Sequence, residues 1–145
     1  MRRRKANLTL KQAASLTTAS LLTILFMTFH LTGDILFRMA PAGLLNLLAV
    51  FIFVVQLYGT LVLGGRRAGY IIIFLGSALA LVVPVVHMKG TRGVIGGDIG
   101  TSSQAFLFVW TILALGITAT FSVILSASAL LSLPWRRSPR ASPAA

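Results

Sequence analysis

The sequence predicts an all-α, polytopic membrane protein with four transmembrane helices packed as an antiparallel bundle. Three observations support this fold class. Of the 145 residues, 57% are hydrophobic and only 10% are charged, and the mean hydropathy is +0.92. A soluble domain of this composition could not cover its surface with polar groups. Four apolar runs are each long enough to cross a hydrocarbon core of about 30 Å, and basic residues concentrate at their ends.

The four runs give the predicted bounds of the helices within a single domain. These bounds are about residues 15–37, 42–63, 68–87 and 104–133. The first link ends at Pro41, whose missing N–H suits the first turn of a helix, and Gly64 and Gly65 close the second run. Because both links are short, we expect helices 1 and 2, and then helices 2 and 3, to be antiparallel neighbours.

The second half of the chain contains a proline inside a run, one long loop and a basic tail. Pro84 removes a backbone hydrogen bond, so we expect a kink one turn before His87. Lys89 to Gly100 form a glycine-rich loop before the fourth run. Residues 134–145 are basic and rich in proline, and we expect a disordered cytoplasmic tail there.

The distribution of lysine and arginine predicts the orientation in the membrane. Ten of the 13 basic residues lie at the N-terminus, in the second link or after the fourth run, whereas Arg38, Lys89 and Arg92 lie on the other side. Positive charge favours the cytoplasmic side. We therefore expect a multi-pass protein of the inner (plasma) membrane with both termini in the cytoplasm.

The net charge of +11 also indicates a partner. The charges flank apolar spans and do not form a folded basic face, so a nucleic acid is not expected. Anionic lipid headgroups are the predicted partner. Four arginines at the cytoplasmic side are the predicted headgroup contacts: Arg66, Arg67, Arg136 and Arg137.

The residue types that are missing exclude several chemistries. Without cysteine, the chain has no disulfide, thiol relay or cysteine-based metal site. Without glutamate, Asp34 and Asp98 are the only side-chain carboxylates. A hydrolase built from Ser102 or Ser103 with His87 and Asp98 has no supporting motif. We therefore predict no catalytic residues and favour a protein without enzymatic activity.

Polar residues converge at one predicted depth. His30 and Asp34 stand four residues apart and share a helix face. His30, Asn46 and His87 each lie 19 or 20 residues along their helix from the nearest cytoplasmic basic residue, which is about 30 Å at 1.5 Å per residue. Asp98 belongs to the loop above them. We therefore predict a polar cluster of these five residues at the extracytoplasmic end.

Three interpretations of this cluster remain open. The favoured one is a set of structural hydrogen bonds in an accessory or interaction component, which forms a homo-oligomer or joins a larger membrane complex. The second is a small-ligand or proton-relay site, because ionisable groups inside a membrane are candidates for function. The third is a cofactor site in which His30 and His87 bind haem b, or bind a divalent metal together with Asp34 or Asp98.

The fourth run also carries a row of small residues at four-residue spacing. Small side chains allow the backbones of neighbouring membrane helices to approach closely. The row is expected to face another helix, whereas Ile117 is expected to lie on a different face. Its members are Ala114, Thr118, Ser122 and Ser126.

Overall fold

The computed structural model describes residues 2–36, 43–87 and 103–133. All regular structure in these ranges is α-helical, and they contain no strand. The prediction of an all-α fold with four helices is therefore confirmed. The helices, in chain order, are α1 (Arg2–Leu36), α2 (Leu44–Leu61), α3 (Arg67–His87) and α4 (Ser103–Ser132).

The bounds differ from the predicted ones mainly at the first helix. The prediction started it near residue 15, whereas α1 begins at Arg2. No proline or glycine interrupts the basic and polar stretch before the apolar run, so the helix continues through it. The other bounds agree with the prediction to within about two residues, which is the usual uncertainty of helix ends. The predicted loop from Lys89 to Gly100 and the tail over 134–145 lie outside the described residues.

Three helical segments of the described chain are long and apolar enough to cross a membrane. They are Leu10–Leu36, Arg67–His87 and Phe106–Ser132. Helix α2 contributes a shorter apolar segment, Asn46–Leu61. The large exposed side chains of all four helices are mainly hydrophobic. This outward apolar surface is the pattern expected for helices surrounded by lipid.

The turn between α2 and α3 is short and closely packed. Val62 and Leu63 both donate backbone hydrogen bonds to the carbonyl oxygen of Tyr58. Gly65 has φ +78, a conformation that glycine adopts without strain. Gly69 is buried, and a Cβ there would meet the carbonyl oxygens of Gly59 in α2 and of Leu63 in the turn. The turn therefore holds the start of α3 directly against the end of α2.

Helix α4 packs along both α1 and α3, and α2 packs against α3 and α1. The interior combines a small apolar core with many hydroxyl groups. The core includes Ile73, Ile112 and Leu115. Helix α4 contributes Ser122 and Ser126, which are both completely buried, as the small-residue row predicts.

A layer of buried polar side chains connects the four helices. We call it the hydroxyl layer, and it consists of Ser20, Thr23, Gln56, Thr60, Ser77 and Ser122. The Oγ of Ser20 lies 2.8 Å from Oγ1 of Thr60. The Nε2 of Gln56 donates to Oγ of Ser77 at 3.3 Å and to Oγ of Ser20 at 3.5 Å. Oγ1 of Thr23 lies 3.3 Å from Oγ of Ser122, which joins α1 to α4.

Candidate functional site

Three helix ends meet at the candidate site. His30 and Asp34 occupy the last two turns of α1, and His87 is the last residue of α3. Phe108, near the start of α4, completes the group. We call His30, Asp34 and His87 the outer cluster. The structure thus brings together three of the five side chains predicted to converge.

The outer cluster is compact and largely withdrawn from the surface. Nε2 of His30 lies 3.4 Å from Oδ2 of Asp34, as their four-residue spacing on one helix allows. The His30 side chain is only 5% exposed and that of Asp34 is 14% exposed. The rings of His30 and His87 meet edge to face, with centroids 4.9 Å apart and planes at 85°.

Phe108 holds the two imidazole rings from the side of α4. Its ring centroid lies 5.5 Å from that of His30 and 5.6 Å from that of His87. The sequence analysis did not single out Phe108, because an aromatic residue near the end of a membrane helix has the same pattern whether it faces lipid or protein. Only the packing of α4 against α1 and α3 identifies it as part of the site.

A hydrogen bond fixes the tautomer of His87. Its Nδ1 lies 2.9 Å from the carbonyl oxygen of Val83. A carbonyl oxygen can only accept, so Nδ1 carries the proton and donates it. In the neutral ring, Nε2 then keeps a free lone pair. This is the arrangement in which a histidine ring can bind a metal ion.

Two polar atoms of the outer cluster are buried without a hydrogen-bond partner. They are Nδ1 of His30 and Oδ1 of Asp34. An unpaired buried polar group costs about 1–3 kcal/mol, and native proteins satisfy nearly all such groups with protein, water or ligand. The cluster therefore has unused capacity to bind something.

The donor set fits a single metal ion after a modest movement. One potential ligand atom from each of His30, Asp34 and His87 lies within 4.8 Å of the other two. Bonds of about 2.0–2.1 Å at tetrahedral angles place ligand atoms about 3.3 Å apart. The 3.4 Å contact between His30 and Asp34 already has this separation. A pair of ligand atoms as far apart as 4.8 Å would need to approach by about 1.5 Å to complete the geometry of such a site.

The same geometry does not fit haem b. With His30 and His87 as axial ligands, the iron and its flat macrocycle would have to lie between the two rings. Instead, the rings touch edge to face and both contact Phe108. Accommodating a macrocycle would require separating α1 from α3 and displacing α4.

The remaining predicted site residues are not members of the outer cluster as defined here. Asn46 is half-buried in the first turn of α2, where its N–H donates to the carbonyl oxygen of Gly43. Arg66 and Arg67 are exposed at the turn between α2 and α3. Three further candidates lie outside the described residues: Asp98, Arg136 and Arg137.

An apolar layer separates the outer cluster from the hydroxyl layer. Ala80, Leu115 and Ala119 are buried together, and Phe26 and Met27 pack against them. On α3, Ala80 lies between Ser77 and His87. Within the described residues, the two polar layers therefore do not merge into one hydrogen-bonded path.

No protein-family model matches this sequence, and no curated protein or solved structure is significantly similar to it. Functional inference therefore depends on the residues and geometry of the chain itself.

Proposed function

We propose that the chain is a four-span protein of the inner (plasma) membrane, with both termini in the cytoplasm. Its extracytoplasmic end binds a divalent transition metal through His30, Asp34 and His87. It acts as a binding or accessory component and has no catalytic residues. Anionic lipid headgroups surround its cytoplasmic side, where Arg66 and Arg67 are exposed.

Contacts between side chains support parallel directions for α1 and α3. Gln56 of α2 bridges Ser20 and Ser77, and ten residues further along both helices His30 meets His87. Contacts that advance by ten residues along both helices support α1 and α3 running in the same direction. With short links, α2 runs between them in the opposite direction.

The contacts of α4 complete an antiparallel arrangement. Thr23 lies beside Ser122, whereas His30, further along α1, lies beside Phe108 near the start of α4. The contacts therefore move backwards along α4 as they advance along α1. Together with the ten-to-three bias of basic residues, this arrangement supports a cytoplasmic location for both termini.

The observation that carries the metal proposal is the convergence of two imidazoles and a carboxylate around one point. Imidazole and carboxylate ligands suit zinc, iron and related divalent ions. Three protein ligands leave a coordination position for water or a small ligand. The hydrogen bond from Nδ1 of His87 to Val83 supports this role, because it leaves the lone pair of Nε2 free for a metal ion.

A comparison of the two polar layers favours a ligand over a purely structural role. In the hydroxyl layer, side chains bond to one another across the helices. In the outer cluster, one atom of His30 and one of Asp34 stay unpaired although both are buried. A cluster that served only to join helices would be expected to satisfy its own groups.

Metal binding to the purified full-length protein tests the proposal. Equilibrium dialysis against Zn²⁺ should give one ion per chain. Asp34→Asn and His87→Gln should each weaken binding at least tenfold, because each removes a ligand. The control is Ser77→Ala, which alters the hydroxyl layer only and should leave the affinity unchanged.

Two results would contradict the metal proposal. One is wild-type protein that binds no divalent ion under these conditions. The other is unchanged affinity in both ligand variants, which would place any bound ion elsewhere. Absorbance near the Soret band provides a further check. A haem signal would contradict the conclusion that the touching rings of His30 and His87 do not fit haem b.

A further inference from the structure

A lateral groove runs between α1 and α4. Its volume is about 400 Å³, and its lining is mainly apolar, with the hydroxyl groups of Ser15, Thr18 and Thr118 among it. Helix α1 contributes mostly small residues to the lining, and α4 contributes Phe121 and Leu125. Its main lining residues are Ala14, Thr18, Leu22, Thr118, Phe121 and Leu125.

The length and position of the groove match one leaflet of a bilayer. Lys11 is exposed on α1 and lies three and seven residues before Ala14 and Thr18, so all three share a helix face. From Lys11 to Leu22 the helix advances about 16 Å at 1.5 Å per residue. This is close to half of a hydrocarbon core of about 30 Å. The groove therefore extends from headgroup level towards the midplane.

We propose that this groove binds one acyl chain of an anionic phospholipid from the cytoplasmic leaflet, and that Lys11 contacts the lipid phosphate. Lys11 stands about one helical turn before Ala14, so its ammonium group is within reach of a phosphate above a chain inserted in the groove. Apolar walls suit the acyl chain, and the small side chains of Ala14 and Thr18 provide its space. The proposal rests on the proposed topology but is independent of the metal site.

The charge of Lys11 also argues against a second copy of the chain in the groove. Two copies inserted with the same orientation would form a symmetric contact along this face of α1. Their Lys11 side chains would then approach each other at the same membrane depth. Like charges repel, whereas an anionic lipid neutralises the lysine.

Native mass spectrometry provides a direct test. The full-length protein would be purified with equal amounts of phosphatidylglycerol and phosphatidylcholine, and the retained lipid counted. Wild type should retain one phosphatidylglycerol. Lys11→Gln should reduce the preference for the anionic lipid about fivefold, as expected for loss of one basic residue near an anionic surface. Lys11→Arg keeps the charge and should keep the preference.

A second pair of variants tests the groove itself. Thr18→Leu fills it and should reduce lipid retention, whereas Thr28→Leu, an exposed position on another face of α1, should have no effect. The proposal would be overturned if Lys11→Gln left the lipid selectivity unchanged. It would also be overturned if the wild-type protein formed a lipid-free dimer that Thr18→Leu dissociates. Labelling of introduced cysteines tests the proposed topology separately. A wrong topology can therefore be distinguished from a wrong lipid site.

Discussion

Gly69 shows how a single residue determines the distance between two helices. It lies in the first turn of α3, where a Cβ would meet the carbonyl oxygens of Gly59 on α2 and of Leu63 in the turn after α2. Backbone atoms cannot move aside as the end of a flexible side chain can. Gly116 on α4 provides a contrast, because a Cβ there would make ordinary contact with Pro84 at 3.5 Å.

We expect Gly69→Ala to destabilise the protein by about 1–3 kcal/mol, the range for overpacking a filled site. Gly116→Ala should be neutral or stabilising by up to about 1 kcal/mol, because alanine favours the helix. Unfolding of the purified protein by a denaturing detergent would measure both. Equal destabilisation by the two substitutions would mean that α2 and α3 are not in such close contact.

Some residues of the candidate site can be predicted from sequence and others cannot. The contact between His30 and Asp34 follows from their spacing on one helix. The closeness of His87 to His30 follows from their equal predicted depth, but only if α1 borders α3. No local sequence pattern determines which helices are neighbours. The role of Phe108 and the unpaired atoms depend on how three helices pack, and this information is not contained in any one segment.

At the level of the element, α4 packs along both α1 and α3. Its small residues face inward, with Ser122 beside Thr23 of α1. Of the row predicted from the four-residue spacing, Ser122 and Ser126 are buried, whereas Ala114 and Thr118 are half-buried. The spacing did not predict the partner, because small residues permit close approach to any neighbouring helix.

Ser122→Leu should therefore destabilise the protein by about 1–3 kcal/mol through overpacking against α1. The matched control is Ile117→Leu on the same helix, where the side chain is 60% exposed. That change should be tolerated. Detergent-induced unfolding followed by circular dichroism would compare them, and a similar loss of stability at both positions would show that the buried face of α4 is misassigned.

At the level of the whole molecule, composition and charge carry most of the predictive information. An apolar exterior with hydroxyl groups inside follows from the need to place polar side chains away from lipid. The bias of basic residues predicts orientation without any knowledge of packing. The separation of the outer cluster from the hydroxyl layer was not predicted, because it depends on which apolar residues of three helices meet.

The proposed topology predicts different labelling of the two short links. The chain has no cysteine, so single introduced cysteines can be labelled without background. Gly43→Cys, at an exposed position with open space around it, should react with a membrane-impermeant thiol reagent in intact cells. Ala68→Cys is also exposed but should react only after permeabilisation. The reverse pattern of labelling would show that the protein has the opposite orientation in the membrane.

The brevity of α2 has a consequence for the surrounding bilayer. Its 18 residues extend about 27 Å at 1.5 Å per residue, and its apolar segment Asn46–Leu61 is shorter still. The apolar parts of α1 and α4 each have 27 residues. In the proposed four-span arrangement, lipid beside α2 would have to compress to match it, while lipid beside the longer helices would not. Such one-sided hydrophobic mismatch would draw the protein towards thinner membrane regions and orient α2 towards any neighbour that relieves the compression.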